Sequence, residues 1–344
     1  MKKYLKKWEW VIPCVLLLIT YPGVAQYSNV LYVKKDTTIK DDVSRVYDIV
    51  VKAKSIGAKR IMFEKGTYNF YDDKAFEKFC FISNHDNGPR KTAFPILSFN
   101  NLEIDGNGSL FKFHGQIIPF IIENSSNIKI KNLSIDWDRT FHSEMLVVAT
   151  DTLNRSIDLR ISPDYPYQIQ DEKLVFIRKN YEHSIETGIY WDPKTQAVAY
   201  NASNYSPIKP FKGTYVTYNP APETLLYEPF VVNRNNNEMP LVTKAMQLEP
   251  GLVRLSNLKE NLPKVGWIYV CKGYNTKNRL VPGIRVLSCE NMSFENVNVH
   301  HAGGMGLIVE KSKNIHLNGF NVKRSDRHNR MLTTTADATH FVGC

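Results

Sequence analysis

Asn127-Ile128-Lys129-Ile130-Lys131-Asn132-Leu133-Ser134-Ile135-Asp136, Asn291-Met292-Ser293-Phe294-Glu295-Asn296-Val297-Asn298-Val299-His300 and Asn314-Ile315-His316-Leu317-Asn318-Gly319-Phe320-Asn321-Val322-Lys323 share one frame, Asn-h-x-h-x-Asn/Gly-h-x-h, with h apolar. The last two copies start 23 residues apart, and Asn101-Leu102-Glu103-Ile104-Asp105-Gly106 is a weaker copy 26 residues before the first. Alternation sends every second side chain to a shared interior, and a repeat of this length holds a few short strands and turns. Asn at the corners of the frame tolerates the left-handed backbone region and can ladder with the Asn of the next repeat. The strands of an ordinary sandwich would not keep so constant a period. The frame therefore predicts an all-β chain built on a right-handed parallel β-helix.

Toward the N-terminus, Val43, Val46, Tyr47, Val50 and Val51 fall at helical spacing, and Ile56-Gly57-Ala58 closes that helix. Arg60 to Phe70 then reads as a strand, a turn at Gly66 and a second short strand. One helix leading into many strands can cap the first open edge of a solenoid. From about Phe141 to Lys277 the frame vanishes. Strand-like runs at Met145 to Ala149, Lys173 to Ile177, Gly213 to Tyr218 and Gly266 to Cys271 are separated there by polar or Pro-bearing turns, and the frame resumes at Gly283. The expected organisation is a signal peptide (1–25), a cap with the first coils (26–140), an inserted small antiparallel β domain (141–280) and further coils (281–344) that stop at Cys344 where another coil is expected.

The N-terminal assignment rests on Met1-Lys2-Lys3-Tyr4-Leu5-Lys6-Lys7, an apolar run from Val11 to Thr20, and small residues before a cleavage point near Ala25. Pro13 and Pro22 bracket an apolar core well short of the roughly 20 residues a membrane span needs. The expectation is an exported protein with no stable membrane span. Removing that segment lowers the formal charge of +10 to about +7, and no nucleic-acid-binding pattern accompanies the basic residues. Of the four cysteines beyond it, Cys80, Cys271, Cys289 and Cys344, no pair has metal or redox spacing, so no metal and no cofactor is expected, and buried free thiols are preferred to disulfides.

The chemistry-bearing motifs lie near the C-terminal end: His300-His301-Ala302-Gly303-Gly304-Met305-Gly306, then Arg330-Met331-Leu332-Thr333-Thr334-Thr335-Ala336-Asp337-Ala338-Thr339-His340-Phe341. Asp337 sits among small residues that leave room for a ligand, although a bare Asp in a solenoid is commonly a corner residue. One of His300 and His301 should face inward and the other outward, and Gly303-Gly304 would let backbone approach a ligand closely. Asp136 and Asp138 flank Trp137, whose ring could stack on a pyranose or sit in the core. Asp326 reads as a turn residue.

These motifs, together with Ile135 to Arg139 and the Lys65-Gly66-Thr67-Tyr68 turn, resemble the α-1,3-galactosidases of glycoside hydrolase family 110, over nearly all of the chain beyond Ala25. The resemblance implies a parallel β-helix with inserted β-barrel domains that removes terminal α-1,3-linked galactose, as in blood group B glycans, with inversion. It marks Asp337 as a water-activating base, and His300, His301, Arg330, His340, Asp136 and Trp137 as candidate substrate contacts, with a glycan bearing terminal α-galactose as the partner. Arg330 could alternatively hold Asp337 ionised. Inversion needs a second carboxyl group. The family carries a paired Asp-Asp a little over twenty residues after the position of Asp337, so the general acid is expected to be absent from this chain. A noncatalytic carbohydrate-binding β-helix is the competing reading, and a polysaccharide lyase, which would need a Lys or Arg base and usually calcium carboxylates, is a third.

Overall fold

The computed structural model describes residues 29–179, 181–185, 187–202, 243–258, 262–272 and 279–344. The expected signal peptide and the strand expected at Gly213 to Tyr218 lie outside these residues. Those described are mostly strand, with one α-helix at Val43–Ile56. Six strands follow one another across the first sheet: Val30–Val33, Arg60–Phe63, Asn100–His114, Ser126–Trp137, Glu290–Val299 and Lys313–Asn318. All of their pairings are parallel. A second sheet runs Phe76–Cys80, Gly88–Leu97, Ile117–Glu123, Ile284–Leu287, Leu307–Glu310 and Thr339–Val342. It is parallel after an opening antiparallel hairpin. From Gly88 the chain feeds the two sheets in alternation, and both line one apolar core.

Register follows the repeat frame. Ile128 pairs with Leu102 on one side and Met292 on the other, and Ile130 with Ile104 and Phe294. All six are buried. The corner Asn127 (φ 54°), Asn291 (φ 57°) and Asn314 (φ 56°) take the left-handed conformation, and their amides ladder, Asn314 donating to Asn291 and Asn291 to Asn127, each at 3.0 Å. Although 164 residues separate Asn127 from Asn291, their strands are direct neighbours, so the frame continues across the interruption.

The helix buries Val43, Val46, Val50 and Ala53 against the first strands and ends at Gly57 (φ 65°), whose N–H reaches Ala53 and Lys54 carbonyls. The interrupting residues form a seven-stranded antiparallel sheet, in spatial order Ala197–Val198, Thr187–Asp192, Ile268–Lys272, His142–Asp151, Ser156–Ile161, Leu252–Ser256, Lys244–Glu249. A three-stranded sheet, Tyr167–Gln170, Lys173–Arg178 and Tyr181–His183, accompanies it. This unit has its own core around Val147, Leu159, Phe176, Val253 and Tyr269. Cys80, Cys271 and Cys289 are buried free thiols, while Cys344 is exposed.

Candidate active site

Main-chain bonds lay the Thr333 to Ala338 segment against residues 302–307. Ala302 N–H donates to Thr333 O, Thr335 N–H to Ala302 O, Ala336 N–H to Gly304 O and Gly306 N–H to Asp337 O, at 3.0 to 3.2 Å. The small residues are what permit this approach: a Cβ on Gly306 would come within 2.6 Å of Ala338 O. Asp337 is thereby fixed by its backbone while its side chain stays 56% exposed. Its Oδ2 lies 2.9 Å from His340 Nδ1, and His340 Nε2 lies 2.9 Å from Asn84 Nδ2.

Two cations contact the residues around this carboxylate. Lys272, at the end of a strand of the interrupting sheet, donates from Nζ to Thr335 O. Burial pushes the Lys272 ammonium down to about 8, with the Arg279 charge adding to the effect and Asp337 opposing it. Arg279 Nη1 in turn donates to Asn84 O at 3.2 Å. The arrangement is a solvent-facing carboxylate with one oxygen held and the other without a hydrogen bond to any described residue. Such a group can orient and deprotonate a water or bind a polyol hydroxyl.

Of the residues expected here, the structure brings together Asp337 and His340 and places the others apart from them. His301 is fully buried, its ring stacked on Phe141 with centroids 5.7 Å apart and its Nε2 accepting the Phe141 N–H at 2.9 Å. Burial holds this imidazole well below its ordinary range. Trp137, also fully buried, packs on Phe113 and donates from Nε1 to Gly115 O at 3.2 Å, so its ring has no face for a pyranose. Arg330 reaches neither Asp337 nor solvent. Its guanidinium spans Asp136 Oδ1 (3.2 Å) and the carbonyls of Trp137 and Asp138. His300, of the pair the outward member, is nonetheless 7% exposed, with Nδ1 on Lys323 O at 3.1 Å. The glycines answer to protein neighbours too: a Cβ on Gly303 would meet the Phe141 ring at 2.5 Å, and one on Gly304 the His85 Nε2 at 2.3 Å. Asp326 lies in an exposed turn, as expected.

Asn84, Lys272 and Arg279 escaped the sequence reading. Asn84 belongs to the polar run Ser83-Asn84-His85-Asp86-Asn87-Gly88, which reads locally as a turn. Lys272 ends a strand whose alternation was visible, but its neighbour Asp337 is joined to it only by the fold. Glu144 was missed as well. Its Oε1 accepts the N–H groups of Met331 (2.7 Å) and Leu332 (3.1 Å) and lies 2.9 Å from His142 Nε2. The interrupting unit therefore holds the segment that carries Asp337.

Residues 143–268 match the family model described as GLAA-B beta-barrel domain I. The chain is 32% identical over 285 residues to the α-1,3-galactosidase A of Shewanella woodyi, covering 83% of this chain and 41% of that protein. Against the α-1,3-galactosidase B of Parabacteroides distasonis it is 32% identical, over 81% of this chain and 40% of the other. Against that of Bacteroides thetaiotaomicron it is 26% identical, over 100% of this chain and 51% of the relative. The chain thus spans about half or less of the length of these curated relatives.

Proposed function

With the likeness to the α-1,3-galactosidases shown along most of this chain as premise, we propose that it carries the galactoside-binding and water-activating part of an exported, inverting α-1,3-galactosidase acting on glycans such as blood group B structures. The observation that carries this reading is the Asp337 carboxylate, on a segment fixed by main-chain hydrogen bonds, open to solvent, with only Oδ2 bonded to a described residue. An inverting glycosidase needs a base on the water side of the sugar and an acid on the leaving-group side, their carboxyl groups roughly 6.5 to 9.5 Å apart. Asp337 has the exposure and mounting of the base. Its side-chain hydrogen-bond partner among the described residues is the His340 imidazole, and the acid is assigned, by the likeness to the longer relatives, to residues beyond Asp337. The two parallel sheets, fed alternately around one core, support reading the winding as a right-handed parallel β-helix, whose stacked turns would align sites from successive repeats along one face.

Among the described residues no helix is long and apolar enough to cross a membrane. Export through cleavage near Ala25 would give a mature chain starting near Gln26, which N-terminal sequencing of secreted material reads directly. The competing reading is a carbohydrate-binding protein that does not cleave, in which Asp337 would only bind a sugar hydroxyl.

The deciding experiment is titration of the 344-residue protein with α-1,3-galactobiose and, as a control, the corresponding α-1,3-glucobiose, followed by NMR or calorimetry. Saturable binding of the galactoside, lost in an Asp337→Ala variant, is expected. Absence of binding, or equal binding of the glucoside, would rule the reading out.

A further inference from the structure

The stretch between Cys80 and Gly88 crosses the outer face of the second sheet instead of following its strands. Phe81 O accepts from Arg285 Nη2 at 2.7 Å, Ser83 N–H and Oγ donate to Glu310 Oε1 at 2.9 and 2.8 Å, and Asn84 Nδ2 meets His340 Nε2 at 2.9 Å. Arg285, Glu310 and His340 stand on three successive strands, with Arg285 and His340 both in register with Ile308. The strap therefore begins at the opening hairpin and delivers Asn84 to the last rung, 256 residues along the chain.

Asn84 is pinned there from several sides. Its backbone is left-handed (φ 59°), a conformation Asn tolerates and β-branched residues do not. Its carbonyl takes the Arg279 guanidinium, and the His85 ring that follows is seated on Gly304. The proton arrangement follows from the acceptors. An uncharged imidazole has one N–H and one lone pair. With Asn84 Nδ2 donating to Nε2, the ring N–H must be on Nδ1, where it points at Asp337 Oδ2. With the amide turned over, an uncharged ring would give its proton to Asn84 Oδ1 and set a lone pair against the Asp337 carboxylate at 2.9 Å.

We propose that Asn84 is a positioning residue: through His340 it fixes Asp337 with Oδ2 held and Oδ1 turned toward the reacting water. This rests on Asp337 being the base of the proposed site. No described residue donates a hydrogen bond to Oδ1, so the relay leaves one oxygen for the water and removes the rotational freedom that an exposed carboxylate otherwise keeps. Holding a catalytic group by such support on rigid elements is how reacting geometry is maintained.

The ring-proton pattern of His340 reads the relay directly, because it follows from which neighbour donates to which ring nitrogen. Long-range proton–nitrogen correlation spectra of the 15N-histidine-labelled 344-residue protein at neutral pH, with His340→Gln used to assign the signal, should show one ring proton, on Nδ1. An Nε2-protonated ring, or a ring protonated at both nitrogens, would overturn the proposal. Asn84→Asp keeps the size and the left-handed backbone but cannot donate when ionised, so both ring nitrogens should become protonated between two carboxylates. An unchanged pattern in that variant would also overturn it. Titrating α-1,3-galactobiose into the same wild-type sample tests the galactoside reading separately, because the ring pattern is read without any ligand or turnover.

Discussion

Glu144 accepts the backbone N–H of Met331 at 2.7 Å, joining the first strand of the interrupting sheet to the segment that ends in Asp337 and His340. The same oxygen takes Leu332 N–H and faces His142 Nε2, and burial holds the His142 ring below its ordinary range. Glu144→Ala would strand two amide donors and an imidazole in a buried place, at a cost of about 2 to 4 kcal/mol. Glu144→Gln keeps an acceptor oxygen and should cost about 1 kcal/mol. Urea midpoints measure both, and hydrogen exchange at Met331 and Leu332 should speed up selectively in the Ala variant. Equal midpoints for Ala and wild type would remove Glu144 as the clamp.

Arg285 is 1% exposed and lies between Glu123 (3.4 Å) and Glu310 (3.2 Å), which belong to the strands on either side of its own. Removing the central cation leaves two largely buried carboxylates facing each other. Arg285→Met should therefore destabilise by about 3 to 5 kcal/mol. The double change Arg285→Met and Glu310→Gln should recover much of that loss, because it also removes the charge of Glu310 and leaves Glu123, which Lys78 still pairs at 3.1 Å, no longer facing a second carboxylate. Denaturant midpoints of the two variants provide the comparison, and a double variant no more stable than the single one would show that packing dominates.

How much of this was legible in sequence divides along physical lines. Ile128 and Met292 could be paired by eye because inward rows repeat at the period of the frame, and the laddered Asn127 and Asn291 amides mark where that frame begins in each copy. The outcome for His301 was not legible. Alternation sends one of two adjacent histidines inward, but only the fold shows that the inside there is occupied by Phe141 and Trp137. Gly303 and Gly304 carry the same ambiguity, since a missing Cβ reads alike whether the neighbour is a sugar or, as here, Phe141 and His85. Arg330 was placed by its motif but paired by the fold, with Asp136 at 194 residues' separation. Asn84 and Lys272 offer no local signal because their partners, His340 and Thr335, lie on segments far away in sequence.

Lys272 gives the protein a pH dependence with a definite sign. Its ammonium falls from 10.5 in the free side chain to about 8, principally through burial. With the folded value the lower one, the unfolded chain binds more protons between those limits, so stability rises with pH across that window. Burying the charged form costs about 3 kcal/mol below pH 8, and the cost is relieved as pH approaches the unfolded value. Lys272→Met should flatten the stability profile between about pH 8 and 10.5. Galactoside binding in wild type should weaken as pH rises through about 8, where the folded Lys272 loses its proton and its attraction for Asp337. Urea titrations and binding isotherms across this range check both, and identical stability profiles for Lys272→Met and wild type would show that the ammonium is not desolvated.

The carboxylate itself yields the sharpest expectation. Asp337 is 56% exposed, so Asp337→Asn opens no cavity and should change stability by no more than about 0.5 kcal/mol, while abolishing water activation in any form of the protein that turns over galactosides. Residues 1–344 alone are expected to turn over slowly. The side-chain hydrogen-bond partner of Asp337 among the described residues is His340, and an α-galactoside cleaved without a positioned acid loses its leaving oxygen as an alkoxide. General acid assistance is commonly worth about 10² to 10⁴ in rate, so hydrolysis of linear and branched α-1,3-galactosides should fall below that of a full-length relative by at least that range. Chromatographic detection of released galactose measures the rate, and NMR of the first-formed anomer reports β-galactose if the reaction inverts. Turnover matching the relative would place the acid within these 344 residues, and α-galactose as the first product would exclude inversion.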